Sequence, residues 1–289
     1  MNYIFHILII INIYIILSLS LNLLVGYTGL FSLCQAAFYG IGGYVTATLT
    51  VYYGMSFFTS LLIAIVMVVP ISILISAPSI RLKGDYFILA TLGFQIIVYS
   101  IFYNWISVTR GPYGISGISK PSIFGLEIGS IPLYFILSLV FVIIISMTVW
   151  LLTSSPYGRV LKAIRADELA TLSLGKNVTF YKISTFAFSA SMAAVAGGLY
   201  SSYITYIDPT SFTLDESMLV LAMVIIGGAG NIKGPIIGAT LLIILPEILR
   251  FTGIPDSIAP NVRQMIYGLL LILMMYFRPQ GLAGEYRFE

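Results

Sequence analysis

The first eighty residues of the chain contain no Asp, Glu, Lys or Arg, and the first charged side chain is Arg81. Further charge-free runs cover 86–109, 128–158, 183–207, 217–232, 234–246 and 264–277. A helix crosses the hydrocarbon core of a bilayer with about 20 apolar residues. Most of these runs can each supply one crossing, and the first can supply three. Strands of a membrane barrel would alternate in polarity over about 10 residues, whereas these runs are continuously apolar. Composition agrees: 59% of the 289 residues are hydrophobic and 9% are charged, against about 25% charged in a soluble domain. Water alone does not cover a surface so poor in charge, so lipid is part of the solvent. The expected class is an all-α polytopic membrane protein with about 8–10 transmembrane or re-entrant helices. It is read as one transmembrane domain over 1–289, with glycine-broken helices in two halves.

The candidate spans are 3–25, 35–53, 57–77, 85–104, 131–153, 178–203, 217–232, 234–250 and 264–278. The first lacks the basic n-region of a signal peptide and is too long for an h-region, so it reads as a retained span. Lys and Arg favour the cytoplasmic side. Arg159, Lys162, Arg165, Lys176 and Lys182 between Ser154 and Lys182, Arg81 and Lys83 in 78–85, and Arg278 and Arg287 in the tail place 154–177, 78–85 and the C-terminus inside. The stretches 104–131 and 204–217 then lie outside, as does the N-terminus if nine segments are counted. The single cysteine, Cys34, excludes an internal disulfide and reads as a small buried hydrophobe. One histidine, His6, does not build a histidine-rich metal site. No metal and no cofactor are expected. The net charge of +3 does not suggest nucleic acid, because topology explains where the basic residues stand.

Two stretches are interrupted by glycine in a similar way. One runs through Gly26 and Gly29 to Gly40, Gly42 and Gly43; the other through Gly227, Gly228 and Gly230 to Gly234, Pro235 and Gly238. Corresponding breaks in two halves point to a solute pathway, while close helix packing through small residues is the plainer reading. Asn22, Gln35, Thr91 and Gln95 are uncharged polar groups in or beside apolar runs. They either line such a route or join helices by hydrogen bonds. Asp208, Asp215 and Glu216 form an acidic outer stretch, read as a docking surface for an external protein or as a hydrated loop. Glu247 and Arg250, one turn apart, are spaced for an ion pair.

The segment from Ser154 to Asn177 is the most informative polar stretch. Pro156 suits a helix start. Val160, Leu161 and Ile164 form an apolar stripe at helical spacing, Ala170 and Leu174 continue a second short helix, and Gly175 is suited to end it. This is an amphipathic hairpin on the inner side, read as a docking surface that includes Arg159, Lys162, Arg165, Asp167, Glu168, Ala170 and Gly175.

Six stretches, in order, resemble the branched-chain amino acid ABC transporter permeases of the LivM type. They are Asn22-Leu-Leu-Val-Gly-Tyr-Thr-Gly29, Arg81-Leu-Lys-Gly-Asp-Tyr-Phe87, Gly111-Pro-Tyr-Gly-Ile-Ser-Gly117, Ala163-Ile-Arg-Ala-Asp-Glu-Leu-Ala170, Gly227-Gly-Ala-Gly-Asn-Ile-Lys-Gly-Pro235 and Phe277-Arg-Pro-Gln-Gly281. The resemblance implies a second, homologous permease subunit, two ABC ATPase subunits and an external solute-binding protein as partners, in the inner (plasma) membrane. It also implies that the loop around Glu168 to Gly175 meets the ATPase. In many ABC importers that loop carries Glu-Ala-Ala, three residues, then Gly; here the window before Gly175 begins Leu169-Ala-Thr171.

The chain has no Gly-x4-Gly-Lys-Ser/Thr phosphate loop, so its energy comes from another chain or from an ion gradient. Ion-coupled carriers place ionisable groups inside their spans, and few candidates occur here. That favours an ATP-driven importer of branched-chain amino acids working by alternating access. Urea or short-chain amides in the same importer class, and a stand-alone secondary transporter, remain as alternatives. No paired carboxylates, histidine cluster or cysteine nucleophile setting supports an enzyme.

Overall fold

A computed structural model of the chain describes residues 2–80, 82, 84–123, 126–250, 259–278 and 280–283. Its helices are α1 (Asn2–Thr28), α2 (Gln35–Tyr52), α3 (Phe57–Ser79), α4 (Asp85–Asn104), α5 (Ile106–Thr109), α6 (Ile131–Ser154), α7 (Pro156–Ala166), α8 (Glu168–Ser173), α9 (Val178–Ile204), α10 (Leu214–Gly227), α11 (Lys233–Arg250) and α12 (Ala259–Phe277). Four two-residue strands, β1 (Ile115–Ser116), β2 (Ser122–Ile123), β3 (Leu126–Glu127) and β4 (Tyr206–Ile207), pair antiparallel as β1 with β4 and β2 with β3. By length and composition, α1, α3, α4, α6, α9 and the stretch Pro209–Gly227 are each able to cross a membrane. The chain is an all-α polytopic membrane protein.

Helix α1 is the axis. It is apolar all round, and from Ile11 to Thr28 nearly every residue is buried. A helix of that kind belongs inside a bundle, and α1 touches α6, α7, α9, α10 and α11. Helix α6 shows the opposite arrangement. Tyr134, Leu137, Val142, Ile145 and Val149 are buried, while Leu133, Ile136, Val140, Ile143 and Met147 are exposed. The exposed stripe is as apolar as the buried one, which is the mark of a lipid-facing surface.

Helices α2 and α9 cross most closely. A Cβ added at Gly42 would stand 2.4 Å from the Ala194 Cα, and one at Gly197 would stand 1.9 Å from the Tyr39 carbonyl oxygen. Small residues permit this approach, and dispersion between backbones stabilises it where lipid supplies no hydrophobic drive. Helix α3 covers the other side of α9, and Thr59 N–H donates to Ser56 Oγ at its N-cap (3.4 Å).

Each of the nine expected spans has a helix. The seventh differs most: 217–232 is expected, but α10 runs from Leu214 to Gly227 and the chain turns at 228–232. Charge at Asp215 and Glu216 moved the expected start to 217, yet acids in a first turn suit a helix N-terminus. Arg81, Lys83, Arg287 and the side chain of Arg250 lie outside the described residues, so the Glu247–Arg250 pair does too. Glu247 instead accepts from the Tyr3 hydroxyl.

Candidate functional site

Ser155 is extended and ends α6, and Pro156 opens α7, where its missing N–H costs no helical bond. Helix α7 buries Gly158, Leu161 and Ile164 and exposes Arg159 and Lys162. Asp167 separates α7 from α8 and caps it, accepting from Ala170 N–H at 3.0 Å. The exposed face of α8 and its end carries Leu169, Leu172 and Leu174, which are 69%, 48% and 77% exposed. Ala170 is exposed as well, and Gly175 closes the turn with φ +74°.

Two attachments hold this hairpin to the bundle. Lys182, buried in α9, donates to Glu168 at 2.7 Å. The Tyr157 hydroxyl meets Ser184 Oγ at 2.6 Å and Thr185 Oγ1 at 2.8 Å. A third contact reaches the broken end of α1. The Arg165 guanidinium donates to the Gly26 carbonyl, Gly29 lies against the Arg165 side chain, and Lys162 sits 5.7 Å above the Tyr27 ring. The Gly26 carbonyl is one of the last in α1, where a cation stabilises the orphan acceptors.

From there the contacts continue inward. Asn22 donates to the Asn231 carbonyl at 2.8 Å and accepts from Gly230 N–H at 3.1 Å. A Cβ at Gly26 would come within 2.5 Å of the Gly230 nitrogen, so this approach requires glycine. The Asn231 side chain accepts from Gly234 N–H at 2.7 Å, capping α11, and donates to the Ala283 carbonyl. Leu282 and Ala283 N–H donate to the Ile226 and Gly227 carbonyls, both at 2.9 Å. The structure thus joins the two glycine-interrupted stretches directly, at Gly26 and Gly230, while Gly228 lies against Gly234 and Gly281 instead. Gly42, Gly43 and Gly227 stand where backbones cross: the first two against α9, the last against Gly234 of α11.

The other polar candidates are buried and paired. Gln35 donates to Ser20 Oγ; Thr91 Oγ1 accepts from Leu33 N–H at 3.1 Å. Gln95 donates to the Phe212 carbonyl at 2.9 Å and accepts from Ser217 Oγ at 3.3 Å. Gln95 is halfway along α4. The chain at 212–217 therefore does not stay at the helix ends, as the expected outer stretch 204–217 would; it turns inward to that level.

The three acids of that stretch part company. Asp208 is tied up locally, accepting from Thr210 Oγ1 at 2.5 Å and Ser211 Oγ at 2.8 Å. Asp215 is exposed. Glu216 is half-buried and accepts from the Tyr14 hydroxyl at 2.7 Å, midway along α1. A first-turn acid gains about 0.3–1 kcal/mol from the helix dipole. Holding a carboxylate at mid-bilayer costs about 2.5–3.5 kcal/mol even on insertion scales. The dipole alone does not account for Glu216. Neither its depth nor its Tyr14 partner is legible in sequence. Lys182 as partner of Glu168 was likewise hidden, because a turn separates them.

Among the described residues no group of three or more His, Cys, Asp or Glu is arranged to hold a metal. Cys34, in the link between α1 and α2, is fully buried, and burial pushes its thiol up to about 12.

A family model described as branched-chain amino acid transport system / permease component matches residues 3–275. The chain is 36% identical over 293 residues to the high-affinity branched-chain amino acid transport system permease proteins LivM of Escherichia coli (strain K12) and Salmonella typhimurium (strain LT2), covering 93% of this chain and 67% of each relative. It is 30% identical over 320 residues to a probable branched-chain amino acid transport permease protein LivM of Methanocaldococcus jannaschii, covering 95% of this chain and 91% of that protein. No solved structure matches. With a family model matched almost end to end, on an all-helical membrane scaffold, the chain belongs to the branched-chain amino acid transport system permease family.

Proposed function

We propose that this chain is the membrane permease subunit of an ATP-driven importer and passes leucine, isoleucine or valine inward. Similarity to LivM proteins over more than nine-tenths of the chain supports the solute class. The observation that carries the drive mechanism is the exposed triad Leu169, Leu172 and Leu174 on a helical hairpin rich in Arg and Lys. Apolar side chains clustered on a charged, water-facing element mark a protein contact surface, and an ABC ATPase is the partner we assign to it. On this reading the hairpin lies on the cytoplasmic side.

Closure of the ATPase pair pushes α8. The Glu168–Lys182 bridge passes that push to α9, and the Arg165–Gly26 contact passes it to the end of α1. Asn22 then carries it to the α10–α11 turn. A second permease subunit completes the route, and an external binding protein delivers the solute to the opposite face, where Asp208 and the β1–β4 ladder stand. Asp208, bound by Thr210 and Ser211, offers that protein a turn of fixed shape.

Uptake of labelled leucine and urea in a deletion strain tests the solute. Loss of leucine uptake, restored by the gene, is expected; loss of urea uptake with leucine unchanged overturns it. For the drive, Glu168→Arg puts a cation beside Lys182, and Gly175→Pro puts proline at φ +74°, far from its fixed value near −65°. Both variants are expected to insert normally and to hydrolyse ATP in the assembled importer without moving leucine. Normal coupling in both moves the drive contact elsewhere.

A further inference from the structure

Glu216 stands in a place where carboxylates are expensive, and the proposed drive mechanism does not use it. Its depth is fixed from two sides: Tyr14 is midway along α1, and Gln95, midway along α4, binds Phe212 and Ser217 on either side of the same bend. Among the described residues Glu216 has no Lys or Arg within ion-pair distance; its partner is the Tyr14 hydroxyl. It is only half-buried, so part of its surface opens beyond this subunit at mid-depth. Ionisable side chains inside membranes face bundle interiors or watered cavities rather than hydrocarbon.

We infer that the Glu216 carboxylate, oriented by the Tyr14 hydroxyl, receives the α-ammonium of the amino acid as it passes; this rests on the solute reading given above. A carboxylate and an ammonium form a charge-assisted hydrogen bond. The surroundings suit the rest of such a solute. Tyr200, partly buried beside the same bend, packs on Phe212 (6.2 Å between ring centroids) and offers an aromatic edge for an aliphatic side chain, braced from behind by the fully buried Phe212 and Tyr39 (5.0 Å). Aromatic faces also attract cations. Tyr14 occupies one carboxylate oxygen and leaves the other to the solute. Tyr14 is a positioning residue here, since it acts through Glu216.

The test uses the complete importer in proteoliposomes, with both permeases, the ATPases and the binding protein. The readout is leucine moved per ATP hydrolysed. Glu216→Gln is expected to lower that ratio about tenfold, the value of one charge-assisted hydrogen bond, with subunit composition unchanged. Glu216→Asp, which keeps the charge, is expected to retain at least about half of the ratio, and Tyr14→Phe to lose about threefold. Three results overturn the inference while leaving the solute reading intact: a wild-type ratio in Glu216→Gln, an equal collapse in the Asp and Gln variants, or loss of the second permease from the Gln complex. A wild-type complex that moves urea and not leucine overturns both, since urea offers no ammonium.

Discussion

Lys182 is 7% exposed at its side chain, and its partner Glu168 is 42% exposed. Removing one member of a fully buried pair costs about 3–5 kcal/mol. Water reaches Glu168, so the cost of Glu168→Gln here is discounted to about 1–2 kcal/mol. The variant is expected to raise deuterium uptake over 156–175, and the double variant Glu168→Gln/Lys182→Met to recover most of the protection, because the stranded buried charge is gone. Unchanged uptake in the single variant would show that Tyr157 and Arg165 suffice to hold the hairpin. Cys34 gives a second check at this scale. The thiolate is the reactive form, and a thiol raised to about 12 by burial stays protonated near pH 8. The folded wild-type protein is expected to resist maleimide there, and to label fully once denatured.

The α2–α9 crossing rests on backbone contact, and backbone does not move aside. Overpacking a flexible site costs about 1–3 kcal/mol. At Gly42 the atoms met first are the Ala194 carbonyl oxygen, Cα and carbonyl carbon, at 2.3–2.7 Å. Gly42→Val is therefore expected to cost more than that range and to abolish a monodisperse peak in detergent size-exclusion chromatography. Gly93→Ala in α4, where an added Cβ meets nothing within 4 Å, is expected to run as wild type. These elements show what sequence conveys. Long apolar runs announced the helices, because lipid demands a continuous apolar stretch. Pro156, Asp167 and Gly175 announced the hairpin, because each suits a particular turn. What glycines do was less legible: a small residue looks the same at a crossing, where Gly42 stands, and at a break such as Gly230. The inward bend of 208–217 was illegible for a related reason. Acids signal water, and the partners that hold 212–217 at depth, Tyr14 and Gln95, come from distant helices.

For the molecule as a whole, these contacts bind one end of the bundle together. The hairpin holds the end of α1, α1 holds the α10–α11 turn, and that turn holds 282–283. With α8 exposed and Cys34 silent, a single engineered thiol reports the orientation. Leu174→Cys, at a position 77% exposed, is expected to react with an impermeant maleimide in inverted vesicles of cells lacking the ATPase and not in intact cells. The reverse pattern would place the hairpin outside and end the ATPase reading.

The far end of the bundle is stitched by the short ladder in which Ser116 faces Tyr206 and Ile115 faces Ile207. Directly opposed residues of an antiparallel pair have Cα atoms about 4.5–5.5 Å apart, within the span a disulfide bridges. Cysteines at 116 and 206 are therefore placed to lock in an oxidising compartment. If the two strands travel as one cap throughout the cycle, the locked protein keeps its turnover. If the mouth opens by peeling them apart, oxidation freezes it and a reductant sets it free.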